Sequence, residues 1–102
     1  MPDYLEDVRK YSPGADEAVV KRLVNYCGIA LRNADSATVA ATDPKELATV
    51  REGFAKKKLE LETEAADAGI AQVCATMKGV NRKSRVTFYY LLAEFTDTLH
   101  KL

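Results

Sequence analysis

The residues that could do chemistry in this sequence are few, and their spacing matches no catalytic or metal-binding pattern. His100 is the single histidine and lies two residues from the last one. Because chain ends fray, we expect it to be exposed and inert rather than part of a triad or a metal site. We find no glycine-rich phosphate loop, dinucleotide fingerprint, nucleophile elbow or paired-histidine helix. We therefore expect no enzyme activity, metal, cofactor or small-molecule substrate.

The two cysteines are predicted to be structural. Cys27 and Cys74 both fall on apolar faces of predicted helices, and a single pair so far apart has no metal spacing. The first residues, Met1–Asp7, lack the basic flank and apolar run of a secretory signal, and no apolar run elsewhere is long enough to span a bilayer. We therefore expect a cytoplasmic protein with buried, reduced thiols and no membrane contact.

Charged side chains gather in two places. The acidic residues Glu60, Glu62, Glu64 and Asp67 surround a predicted helix start, where negative charge is favourable without any cation. The basic residues form two clusters that would make one face if the third predicted helix ends near the start of the last. They are Lys56, Lys57 and Lys58 in the first cluster, and Arg82, Lys83 and Arg85 in the second.

Such a basic face would suit phosphate or nucleic-acid contact, and an ordinary solvated surface is the alternative interpretation. The chain carries 15 basic and 15 acidic residues, so its formal charge is zero and no overall positive field draws it to phosphate. Nucleic-acid binding is therefore an alternative hypothesis and not the first one.

Helical spacing must position all of these residues. With 47% hydrophobic and 29% charged residues, the composition is that of a globular protein. Apolar side chains recur at helical spacing in five segments, and we expect no strand. The five stripes are Tyr4, Leu5, Val8 and Tyr11; Val20, Leu23, Val24, Cys27 and Leu31; Leu47, Val50 and Phe54; Ile70, Val73, Cys74 and Met77; and Phe88, Leu91, Leu92, Phe95 and Leu99. The sequence predicts an all-α, compact, single-domain bundle of about five short helices over residues 1–102.

Capping residues mark where the helices begin. Asp16, Asp43, Thr63 and Ser84 are predicted N-caps, and Glu46 is placed to reach back to the Asp43 N–H. Gly28 is either a close-packing point or an early stop in the second helix, and Gly79 suits the C′ position of the fourth. Residues 33–42 have little periodicity, and we predict a short turn of helix there.

The segment Phe88-Tyr89-Tyr90-Leu91-Leu92 surrounds its helix, since each residue advances by about 100°. Such a helix needs cover on several faces. Either the other helices wrap it, or Tyr89 or Tyr90 faces a second subunit, and the two interpretations are compatible. Together with the zero net charge, this segment predicts a homo-oligomer formed through Phe88, Tyr89, Tyr90 and Leu92. A small adaptor that binds a partner helix in an apolar groove is a further alternative.

Five blocks of the sequence resemble a family of small bacterial proteins known as domain-of-unknown-function family 2853. They are Tyr11-Ser12-Pro13-Gly14-Ala15-Asp16-Glu17, Gly28-Ile29-Ala30-Leu31-Arg32, Asp43-Pro44-Lys45-Glu46-Leu47 with Val50-Arg51, Lys56-Lys57-Lys58-Leu59 and Lys83-Ser84-Arg85-Val86-Thr87-Phe88-Tyr89-Tyr90-Leu91-Leu92-Ala93-Glu94. The resemblance spans nearly the whole chain. It implies a bacterial cytosolic origin and a helical fold, and because the family has no assigned activity it gives no functional residue.

Overall fold

Five α-helices account for most of the residues that the structure describes. The structure is a computed structural model, and it describes residues 4–32, 37–40, 43–79 and 83–102. The helices are α1 (Tyr4–Arg9), α2 (Glu17–Cys27), α3 (Pro44–Thr49), α4 (Thr63–Thr76) and α5 (Arg85–Phe95), and single 3₁₀ segments lie at Gly28–Arg32 and Leu99–Lys101. The predicted all-α bundle is confirmed.

Three of the predicted N-caps are confirmed by their hydrogen bonds. The carboxylates of Asp16 and Asp43 each accept from the backbone N–H two residues later, at 2.9 and 3.0 Å. The Ser84 hydroxyl accepts from the Thr87 N–H at 3.5 Å. Each cap satisfies one of the backbone donors that the first turn of a helix leaves without a partner.

Two helix boundaries differ from the prediction by one residue, and the structure decides between the two interpretations of Gly28. Glu62, not Thr63, occupies the N-cap of α4, and its C-cap is Met77, which places Gly79 one residue beyond the predicted C′. Gly28 is an early stop: it ends α2 with φ 41°, a left-handed value that glycine adopts without steric cost. The 3₁₀ segment that follows carries the chain on to Arg32.

The predicted capping contact of Glu46 is wrong. The Asp43 N–H donates instead to the Ala40 carbonyl at 3.0 Å. The Glu46 carboxylate accepts from the guanidinium of Arg85 at 2.7 Å. A charged partner from another helix is a stronger donor than a neutral backbone amide, so the tertiary contact replaces the local one.

The third predicted helix changes its winding along its length. After α3, residues Val50–Lys58 continue as a π-helix. Its last bond runs from the Leu59 N–H to the Phe54 carbonyl five residues earlier, at 3.1 Å. The predicted stripe still faces inward, with Val50 and Phe54 buried and Leu47 packed against the core. π-Helical segments are rare in proteins, and those that occur are frequently found at functional sites.

A two-stranded antiparallel sheet joins two connections that we expect to lack strands. Thr38–Val39 forms β1 and Lys83–Ser84 forms β2, with Thr38 opposite Ser84. The predicted helical turn over 33–42 is therefore wrong at these two residues, while 33–36 and 41–42 lie outside the described residues. The pairing buries Val39 completely, a non-local gain that periodicity within the segment does not reveal.

Helix α5 is the centre of the bundle. Every residue from Val86 to Ala93 is buried. Helices α1, α2 and α4 and the π-helical segment all pack against it. Polar contacts add to this cover: the Ser12 hydroxyl donates to Glu94 at 2.7 Å, and the Thr87 hydroxyl donates to Asp7. The interpretation of α5 as a helix wrapped by the others is confirmed.

Replacing Gly69 with alanine is expected to weaken the contact between α4 and α5. A Cβ atom at Gly69 would lie 2.7 Å from Leu92 Cδ1 and 2.7 Å from Thr96 Cγ2. Leu92 is fully buried, and the Thr96 hydroxyl is held by the Leu92 carbonyl at 2.7 Å, so neither side chain moves freely. We expect Gly69→Ala to lower the free energy of unfolding by about 1–3 kcal/mol in urea melts.

Gly53→Ala is the matched control, because a Cβ there would meet nothing within 4 Å. It should leave stability unchanged or raise it by up to about 1 kcal/mol. Equal stability of the two variants would contradict the close packing of α4 on α5.

Candidate ligand-binding cleft

The predicted self-association residues lie inside the chain. Phe88 and Leu92 have no exposed surface, and Tyr90 and Tyr89 are 2% and 8% exposed. The bulk around α5 therefore finds its cover within one subunit. Self-association through these four residues stays a prediction. Their side chains offer almost no exposed surface that a second subunit could cover.

The predicted basic patch is divided between surface and interior. On the surface, Lys56 donates to Glu52 at 3.2 Å, Lys57 is exposed, and Lys58 lies over the Tyr26 ring. In the interior, Lys83 is only 6% exposed, and Arg85 is paired with Glu46. Arg82 lies outside the described residues. Because Lys83 and Arg85 are largely buried, the described members do not make one exposed basic face.

The remaining candidates have ordinary surroundings. His100 is exposed, Glu60 pairs with Lys101 at 2.7 Å, and Asp67 pairs with Arg51 at 3.2 Å. Within the described ranges no three His, Cys, Asp or Glu side chains are grouped so as to hold a metal ion. No helix in that part of the chain has both the length and the apolar character needed to cross a membrane.

Both thiols are free, and burial makes each a weaker acid. Burial raises the pKa of the Cys27 thiol to about 11, although the Arg85 charge acts in the opposite direction. Cys74 is only partly buried, which differs from the expectation of two buried thiols; its partial burial still raises the pKa of Cys74, with Lys83 opposing it. A raised pKa lowers the fraction of thiolate, the nucleophilic form, so the prediction of structural thiols agrees with their environment.

Tyr26 is the feature of the surface that the stripes do not explain. In the described residues it is the one large hydrophobic side chain with a large exposed surface, 44% of the residue. It lies in the last turn of α2, beside the apolar stripe and next to buried Cys27. An exposed aromatic ring offers apolar area and a hydroxyl to a bound molecule, at a small cost in conformational entropy.

An aromatic stack holds Tyr26 in place. The rings of Phe54 and Tyr89 are stacked, with centroids 3.9 Å apart and planes 9° apart. Tyr26 tilts against both, at 5.7 Å from Phe54 and 6.5 Å from Tyr89. The exposed ring is thus the outermost member of a cluster that extends to the central helix, and this support pre-organises it.

The ring borders a cleft of about 360 Å³. The cleft is lined by Arg22, Leu23, Asn25, Tyr26, Lys58 and Leu102. Three parts of the chain meet there: one face of α2, the end of the π-helical segment and the last residue. The Lys58 ammonium lies 5.5 Å from the centroid of the Tyr26 ring, and the Arg22 guanidinium donates to the Leu102 backbone oxygen at 2.9 Å.

A further cation, Arg85, holds the buried side of the aromatic stack. The Arg85 guanidinium donates to the Tyr89 hydroxyl at 2.7 Å and to Glu46 at 2.7 Å. Burial lowers the pKa of Arg85, but Tyr89 and Glu46 together outweigh burial and raise it, so the group stays charged. Burial raises the pKa of Tyr89, so its hydroxyl stays protonated. This network fixes the inner ring of the aromatic stack and joins α3 to α5.

The fold and the cleft together define a small all-α protein with an aromatic, positively charged surface cleft. The chain belongs to the DUF2853 family, described as a protein of unknown function, whose family model matches residues 3–100. The resemblance drawn from the sequence is therefore confirmed. A search of curated proteins gave no match.

Sequence reasoning missed the cleft, although one signal was available. Tyr26 follows Arg22 by four residues, so the two side chains are neighbours on the polar side of α2. An aromatic residue off the apolar stripe of an amphipathic helix needs an explanation, and here it marks the cleft. The sequence marks Lys58 only as part of a basic run, and Leu102 carries no local signal at all.

Glu46→Gln tests the ion pair that supports the stack. The substitution keeps the shape of Glu46 but removes the charge that balances Arg85, whose side chain is 11% exposed. We expect the free energy of unfolding in urea to fall by about 1–2 kcal/mol. The control is Glu52→Gln, which removes a carboxylate that is 53% exposed and pairs with Arg51 and Lys56 on the surface. The control should have the smaller effect, and an equal or larger one would show that the Arg85 pair does not stabilise the bundle.

Proposed function

We propose that this protein works by binding and not by catalysis, as an interaction protein that takes up a ligand or a partner's side chain in the cleft beside Tyr26. The observation that carries the proposal is the exposed Tyr26 ring, held on Phe54 and Tyr89 at the edge of the cleft. A rigid aromatic residue beside a concave surface with a few polar groups is the usual composition of a binding site.

The residues that line the cleft can hold a bound molecule in one orientation. Arg22 and Lys58 offer charge, Asn25 offers an amide, and Leu23 and Leu102 offer apolar surface. The volume, about 360 Å³, lies at the small end of the range for ligand pockets. We propose that the protein acts in the bacterial cytoplasm, as the family resemblance implies.

The other hypotheses from the sequence rest on weaker support. Homo-oligomer formation through Phe88, Tyr89, Tyr90 and Leu92 was motivated by bulk around α5, and that bulk is enclosed by the chain itself. Nucleic-acid or phosphate contact by the six basic residues required one exposed face, and Lys83 and Arg85 are largely buried. An adaptor for a partner helix would need an apolar groove, whereas Arg22, Asn25 and Lys58 bring polar groups into the cleft at Tyr26.

Screening a library of charged and neutral aromatic fragments against ¹⁵N-labelled protein tests the proposal. We expect amide shifts to concentrate at Arg22–Cys27, Lys58 and Leu102, because these residues form or adjoin the cleft. Tyr26→Ala should abolish the shifts and leave the remaining spectrum dispersed, since the Tyr26 ring is only half-buried. Lys57→Ala, which changes an exposed neighbour outside the cleft lining, is the control and should leave them. Fragments that bind only elsewhere, or none at all, would contradict the proposed function.

A further inference from the structure

We infer that the cleft at Tyr26 selects a small organic oxyanion, a carboxylate or a phosphate monoester joined to a flat apolar body. The inference rests on the proposed function and adds the chemical class of the ligand. It combines two observations, the charges that line the cleft and the apolar surfaces between them.

The cleft is positive although the protein as a whole is neutral. Among the described residues that line it, Arg22 and Lys58 have charged side chains: Arg22 donates to an oxygen of Leu102, which is a carboxylate oxygen where Leu102 ends the chain, and Lys58 lies over the Tyr26 ring. Lys101, which belongs to the adjoining C-terminal segment, is already paired with Glu60 at 2.7 Å and adds no net charge. Within the described ranges, no acidic side chain lines the cleft beside Lys58 and the terminal nitrogens of Arg22, so the cleft favours an anionic ligand and disfavours a cationic one.

The geometry leaves hydrogen-bonding capacity for an oxyanion. The Nε of Arg22 donates to the Leu102 backbone oxygen at 2.9 Å, which fixes the orientation of the guanidinium. A guanidinium has five N–H donors, so its terminal nitrogens can still donate to a carboxylate or phosphate. Asn25 lies three residues after Arg22 in α2 and supplies an amide to the same cleft.

The apolar walls select the rest of the ligand. Leu23 and Leu102 line the cleft together with the Tyr26 ring, so the ligand also needs apolar surface to cover them. A bare phosphate ion would leave these walls in water and gain only the charge contacts. An aromatic acid of one ring fits a cleft of about 360 Å³ and satisfies both requirements.

A panel of matched probes tests the inference on the unaltered protein by ¹⁵N NMR titration. Benzoate and phenyl phosphate carry the two possible oxyanions, benzamide is neutral, benzylamine is cationic, and inorganic phosphate lacks the apolar body. We expect benzoate, phenyl phosphate or both to shift the cleft amides with saturation, inorganic phosphate to bind at least tenfold more weakly, and benzylamine not to bind. Preference for one aromatic oxyanion over the other identifies the anion that the site takes.

Charge variants give the second arm of the experiment. Arg22→Gln and Lys58→Gln should each raise the Kd of the better oxyanion by about tenfold or more, since each removes a charge-assisted contact. Lys21→Gln and Lys57→Gln remove exposed charges beside them in the sequence but outside the lining, and should change Kd by less than about twofold. If a variant fails to fold, the panel on the unaltered protein still decides.

The outcomes separate the inference from the function on which it rests. Benzamide or benzylamine binding the cleft as tightly as benzoate would overturn the oxyanion inference and leave the binding function in place. Equal losses for Lys57→Gln and Lys58→Gln would also overturn it, because a diffuse surface charge would then explain the binding. If no probe and no library fragment shifts the cleft amides, both proposals fail.

Discussion

The structure depends on enclosing a helix that is apolar on every side. Helix α5 buries all residues from Val86 to Ala93, and in a chain of 102 residues this uses most of the other elements as cover. Helices α1, α2, α4 and the π-helical segment each supply one face of the enclosure. Short polar contacts at the ends of α5, such as Ser12 with Glu94, satisfy groups that the packing removes from water.

The same enclosure positions the cleft. Tyr89 faces outward from α5 onto Phe54 of the π-helical segment, and Tyr26 of α2 leans on both rings. Phe54 and Lys58 both belong to the π-helical segment, so one segment brings a ring of the core and a cation of the surface against Tyr26. The exposed ring is therefore the end of a stack anchored in the core, and Arg85 with Glu46 holds its inner member. Structure and proposed function share one set of contacts.

Local features of the fold could be predicted from the sequence, and contacts between distant segments could not. The stripes and the caps at Asp16, Asp43 and Ser84 follow from helical spacing and from side chains that reach only two or three residues along the chain. Glu46 shows the limit: its sequence position suits a capping box, but Arg85, 39 residues away, is the better partner. The pairing of Val39 with Lys83 in the two-stranded sheet is also a contact between distant segments, so local spacing does not predict it. The cleft brings Arg22, Lys58 and Leu102 together only after folding. The one feature of the cleft that the sequence shows is Tyr26, which lies off the apolar stripe of its helix.

Hydrogen exchange of the α5 amides as a function of protein concentration tests most directly whether one chain encloses its own central helix. The account predicts that the amides of residues 88–92 are among the most protected in the protein, and that their exchange rates do not change on dilution. Protection that falls as the protein is diluted would show that a second copy supplies the cover, and would contradict the account.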